Sequence, residues 1–156
     1  MKSVMLLVAV AAVLFSTGTA PPVQDADAVR AAIERHYTAI HGDDMAAVAE
    51  HHLNDFSWFG REGSLLLESG GEAAAERMGA TLDFGPATSA HMNHFDAQIY
   101  GDVAVATFYL VGSDTTADGV GTSGTWRVSA VWVREGGVWK EAHHHESPLL
   151  TGAVHP

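Results

Sequence analysis

The chain has 156 residues, with eight Lys or Arg against nineteen Asp or Glu and a net charge of −11 at neutral pH. That balance argues against nucleic acid as a partner, because a phosphate backbone is held by clustered cations that this chain lacks. The absence of Cys excludes a thiolate nucleophile, a Cys-based metal centre and a disulfide framework, while ten His, more than Lys and Arg together, give the first hint of chemistry.

After Met1-Lys2-Ser3 the run Val4 to Phe15 is apolar. It is too short to span a bilayer, which takes about eighteen residues or more, but has the length of a signal-peptide core. Small residues follow from Ser16 to Ala20, and cleavage after Gly18 or Ala20 would release the rest into the periplasm or the medium. Residues 1–20 are therefore read as a signal peptide. No Cys follows to carry a lipid anchor and no later segment is long enough for a membrane helix, so no membrane association is expected after cleavage. Residues 21–24 read as a spacer, 25–148 as one domain of ordinary size, and 149–156 as a C-terminal tail.

Within the domain helical periodicity comes first. Val29, Ile33, Tyr37 and Ile40 recur at helical spacing between Asp25 and His41, with Asp25 and Asp27 where an N-cap belongs. Gly42 stops this helix, and Asp43-Asp44 start a second whose buried face is Met45, Val48, His52 and Leu53. Phe56 to Phe59 reads as a short strand, Leu65 to Glu68 as its partner, and the Ala-rich stretch 72–82 as a third helix ended by Gly85-Pro86. From Ser89 the period changes to two. Four strand-forming runs, Ser89 to Tyr100, Val103 to Gly112, Gly124 to Arg134 and Val138 to Glu146, are separated by Gly101-Asp102, the polar loop Ser113 to Thr122, and Gly136-Gly137. Helices followed by an antiparallel meander make an α+β fold.

This order resembles the nuclear-transport-factor-2-like superfamily, in particular its SnoaL-like and ketosteroid-isomerase-like branch. Three pieces carry the resemblance: the opening Tyr37 through Gly42-Asp43-Asp44, the strand Phe56 to Phe59, and the ending Gly136-Gly137-Val138-Trp139-Lys140-Glu141-Ala142-His143-His144-His145-Glu146-Ser147. It covers roughly residues 25–148. It implies three N-terminal helices packed on a strongly curved antiparallel sheet that forms a cone-shaped pocket, and a homodimer made through the convex face, where Arg127, Ser129 and Val131 lie. One departure matters. With Asp44 aligned to the acid that opens the family's second helix, the isomerases' base falls at Gly60 and their Tyr at His36, with Tyr37 reached only through a one-residue gap, so steroid isomerisation by that mechanism is not expected.

On the last strand regular alternation puts Trp139, Glu141, His143 and His145 on one face, which the resemblance turns into the cone. A carboxylate beside a His on one face can orient the ring and raise its pKa, as a general acid/base needs. His143, His145 and Glu141 are thus the catalytic candidates, the plain alternative being a solvated Glu141 near the mouth. Tyr37, His52, Trp58, His91, Trp126 and Trp139 are the candidates to line a site for a small apolar or aromatic ligand, with core packing as the ordinary alternative. His91 and His94 cannot both face inward from a regular strand.

Neither metal nor other cofactor is expected. Strand neighbours point to opposite faces, so the His triplet supplies two ligands, His143 and His145; a third would have to come from His52, His91 or His94, and no His-Glu-x-x-His spacing is present. The function expected is an exported small-molecule-binding protein. The alternative is a cofactor-independent isomerase, dehydratase or cyclase using a His general acid/base.

Overall fold

The computed structural model describes residues 22–60, 67–68, 89–115 and 121–150. Helices α1 (Pro22–His41) and α2 (Met45–Glu50) precede strands β1 (His52–Phe59), β2 (Leu67–Glu68), β3 (Ser89–Tyr100), β4 (Val103–Thr115), β5 (Gly121–Glu135) and β6 (Val138–Pro148). The signal peptide expected over 1–20 and the third helix expected over 72–82 lie outside the described residues.

In α1 the buried positions Val29, Ala32, Ile33, His36 and Ile40 form one stripe at helical spacing, which docks the helix on the sheet. At its end the Gly42 N–H donates to Thr38 O, and Asp43, at φ 55°, turns the chain so that the Asp44 carboxylate accepts from Ala47 N–H at 3.0 Å and caps α2. Two expectations are corrected here. Asp25 is not an N-cap: it lies in the first turn of α1 and pairs with Arg134 at 2.7 Å. Nor does His52 belong to the second helix. His51 caps α2, its carbonyl accepts from Glu141 N–H at 2.8 Å, and this bond to β6 draws the chain into the sheet, so His52 opens β1.

The six-stranded sheet has the order β2-β1-β6-β5-β4-β3 and is curved and unclosed. Strands β3 to β6 form the expected antiparallel meander, and β1 adds to β6 in parallel. The Gly136-Gly137 turn has φ of +60° and +85°, a region that glycine enters without strain, so the β5–β6 hairpin is tight. Strands β4 and β5 run to Thr115 and from Gly121, beyond their expected ends.

The concave face packs on α1. Ala104, Ala106, Phe108 and Leu110 of β4 meet Trp126, Val128, Ala130 and Trp132 of β5, with Trp139 of β6 and Val29, Ala32 and Ile33 of the helix. A smaller cluster, Ala39, Ile40, Val48, Phe56 and Trp58, closes the other end of the helix. Arg134 clamps the first end: its guanidinium donates to Asp25, Asp102 and the Gly101 carbonyl and lies 4.8 Å over the Trp139 ring.

Candidate functional site

The two hydrophobic clusters meet at a buried polar group that three elements supply. Strand β6 contributes most of it, through an irregularity. Opposite β5, Trp132 pairs with Glu141 but Val131 pairs with His143, so Ala142 has no partner and the strand carries a bulge. A bulge holds two residues against one and reverses the alternation beyond it. The inward set is therefore Trp139, Glu141, His144 and Glu146, all buried. This corrects the expected parity: His143 and His145 do not share the face of Glu141. They lie on the outer face, where the His143 ring is hydrogen-bonded to Ser57 Oγ at 2.8 Å and both rings meet Phe59 edge-on.

Inside, His144 Nδ1 donates to Glu141 Oε1 at 2.8 Å, and its Nε2 stands 3.5 Å from Glu146 Oε1. The Tyr37 hydroxyl donates to the same Glu146 oxygen at 3.4 Å. A second branch leads from the other Glu141 oxygen. His52 Nε2 stands 3.5 Å from Glu141 Oε2 without hydrogen-bond geometry, and His36 lies next to His52, ring centroids 5.0 Å apart. His52 is fixed from behind by parallel stacking on Phe56 at 4.0 Å.

Electrostatics follows from this arrangement. Burial would lower the His144 pKa, but the charges of Glu141 and Glu146 and the bonds to them prevail and raise it to about 10. Burial would raise the Glu141 carboxyl; the His144 charge and hydrogen bond hold it well below the usual carboxylate range. Burial dominates at His36 and lowers it to about 3, with the Glu141 charge opposing and the neighbouring His51, His52 and His144 adding to the fall. At neutral pH the cluster thus holds an imidazolium between two carboxylates and a neutral His36.

A cavity of about 300 Å³ lies beside this cluster, between α1 and the β3–β4 edge, lined by Ile33, Tyr37, His41, His91, Met92 and Leu110 among others. Of the expected lining residues it brings together Tyr37 and His91. Trp126 and Trp139 are core residues, Trp58 belongs to the smaller cluster, and His52 sits in the buried polar group. In β3 a register shift between Asn93 and Asp96, with His94 at φ 53°, leaves both His91 and His94 exposed. Sequence reasoning did not select His36, His144 and Glu146. The first was within reach, because residues 29, 33, 36 and 40 are as good a helical stripe as one through Tyr37. The other two depend on the bulge.

Two results are expected from the cluster. His144→Ala leaves two buried carboxylates without their cation and should cost about 3–5 kcal/mol, whereas His143→Ala and His145→Ala, on the outer face, should each stay within about 1 kcal/mol. Urea unfolding of the three variants measures this, and equal losses would refute the reversed parity. The second concerns pH. His36 has a folded pKa below its unfolded 6.5, so its contribution is lost as pH falls from 6.5 toward about 3. His144 has a folded pKa above 6.5, so its contribution is complete below 6.5 and lost as pH rises through about 10. Stability in EDTA-containing buffer should peak near neutrality, falling by about 2.5 kcal/mol to pH 4.5 through His36 alone. A curve still rising between pH 7 and 9.5 would count against these assignments.

Comparison with known proteins agrees with this architecture. The SnoaL-like domain family matches residues 29–151. No curated protein matches the chain by sequence. Among solved structures, an NTF2-like family protein from Streptomyces avermitilis, proposed to be a dehydratase, is 17% identical with a TM-score of 0.74, covering 84% of this chain and 100% of its own. A protein with a cystatin-like fold from Caulobacter vibrioides is 23% identical with a TM-score of 0.71, over 83% and 93% of the two chains. The CaMKII hub of S. rosetta is 20% identical with a TM-score of 0.67, over 85% and 100%. Helix α1 on a curved sheet, the β6 ending and the match over residues 29–151 together make this chain a member of the SnoaL-like domain family, with a fold shared by the NTF2-like protein above.

Proposed function

We propose that the chain is an exported protein that binds a small, largely apolar molecule in the cavity between α1 and the β3–β4 edge. The cavity itself carries the reading. Its about 300 Å³ is at the lower end of ligand-pocket sizes, its walls combine Ile33, Met92 and Leu110 with the polar groups of Tyr37, His41 and His91, and its floor rests on the charged cluster through Tyr37. Apolar walls with a few polar groups suit a flat or aromatic ligand carrying one or two hydrogen-bonding atoms. The apolar run at residues 4–15 supports export.

One observation favours the alternative, a cofactor-independent isomerase, dehydratase or cyclase. Tyr37, Glu146, His144 and Glu141 form a continuous polar chain that begins at the cavity wall. His144 has both ring nitrogens directed at carboxylates, so it has no lone pair for a substrate, and the phenol of Tyr37 is the group placed to exchange a proton. His143 and His145, on the outer face, take no part in this reading.

Binding is tested with the apolar fluorophore ANS. Met92→Arg projects a charge into the cavity and should weaken ANS binding at least about tenfold with an unchanged circular dichroism spectrum, in line with the 1.4 kcal/mol that a tenfold loss represents. Undiminished binding by this variant would remove the cavity from consideration.

We propose further that two copies pair through the outer face of the sheet. There Tyr109, Arg127, Ser129 and His145 border a shallow groove of about 420 Å³. Arg127→Glu should shift the protein from dimer to monomer in light scattering at micromolar concentration, and a wild type that is already monomeric there would end this proposal.

A further inference from the structure

His36, His52 and Glu141 come from α1, β1 and β6 and meet in the interior. One nitrogen of each His and one Glu141 oxygen lie within 4.8 Å of one another, and the three residues are 3%, 2% and 2% exposed. Their polar atoms are also unmatched. His36 Nδ1, both nitrogens of His52 and Glu141 Oε2 are buried without a hydrogen-bond partner. A buried polar atom without a partner costs about 1–3 kcal/mol, and four in one place need an explanation. The same Glu141 is held at its other oxygen by His144, which fixes the direction in which Oε2 points. Phe56 fixes the His52 ring in the same way.

The geometry points to a divalent transition-metal site formed by His36, His52 and Glu141, of the class that binds zinc or ferrous iron. Two imidazoles and one carboxylate are a borderline donor set of that kind, and a hard ion such as calcium, which takes six or more oxygens, does not fit it. His144 takes the place of an outer partner that orients the carboxylate. Two buried carboxylates, Glu141 and Glu146, stand against the single ring of His144. Ligand atoms around a tetrahedral ion with bonds of about 2.0–2.2 Å stand about 3.3–3.6 Å apart; His52 Nε2 and Glu141 Oε2, at 3.5 Å, already have that spacing. Among the described residues no other group of three His or acidic side chains has this spacing. The site lies apart from the adjacent His143 and His145, and it does not depend on what the cavity binds.

The test uses the full secreted chain, stripped with EDTA, dialysed, and offered Zn²⁺ or Co²⁺ at micromolar excess. Expected are one ion retained per chain after gel filtration, a higher Tm with metal than without, and visible Co²⁺ absorption bands from a nitrogen–oxygen donor set. His52→Gln and Glu141→Gln should each weaken retention at least about tenfold, as loss of even an outer partner does, with circular dichroism reporting whether they fold. The double variant His143→Gln/His145→Gln should retain the ion. Wild-type protein that holds no stoichiometric ion at micromolar excess overturns the proposal without any variant. So does an ion that the double variant loses, because it would then belong to the outer His pair.

Discussion

The unpaired Ala142 in β6 decides which side chains of that strand enter the core. A regular strand after Glu141 would turn His143 and His145 to the core and leave His144 and Glu146 outside. The shift between Val131 and Trp132 reverses this and sets His144 between two carboxylates, with Nδ1 2.8 Å from Glu141. Bulges commonly re-aim side chains next to sites of function. Here one converts a run of three histidines into one buried imidazolium and two outer-face rings.

Burying three ionisable groups on β6 is expensive unless each is matched, and the surrounding elements match them in part, leaving Glu141 Oε2 without a hydrogen bond. Tyr37 reaches Glu146 from α1, and His52 approaches Glu141 from the parallel strand β1. The helix is thus held on the sheet by two different kinds of contact. Apolar packing of Val29, Ala32 and Ile33 on the β4–β5 face gives area, which is tolerant of position; the directional Tyr37–Glu146 hydrogen bond constrains its rotation and height. At the opposite end Arg134 does the same work, fixing Asp25 of the helix to the turns of both hairpins.

Such a cluster also shapes the neighbouring cavity. Tyr37 belongs to both, lining the cavity while donating to Glu146. A ligand that hydrogen-bonds to the phenol would therefore feel the charge of the cluster behind it, since in a low-dielectric interior chains of hydrogen bonds polarise one another. That coupling separates a binding site of this kind from a purely apolar hole, and it is common ground for the binding and proton-transfer readings.

Short-range rules made part of this fold legible from the residues alone. The stripe through Val29, Ile33 and Ile40 gave α1, Asp44 gave the start of α2, and the alternation from Ser89 with its two Gly turns gave the meander, because each signal and the structure it specifies lie within a few residues of one another. The ending from Gly136 to Ser147 carried the family as well. The site itself came from long-range packing. His52 left its helical pattern because the backbone of β6 offered a hydrogen bond to the chain at His51, ninety positions before Glu141. The bulge at Ala142 was settled by how β6 fits against β5 and by where its charges find partners, and no local composition marks it. Residues 36, 52 and 141 were individually readable, but their meeting required α1, β1 and β6 to pack together, which no spacing along the chain encodes.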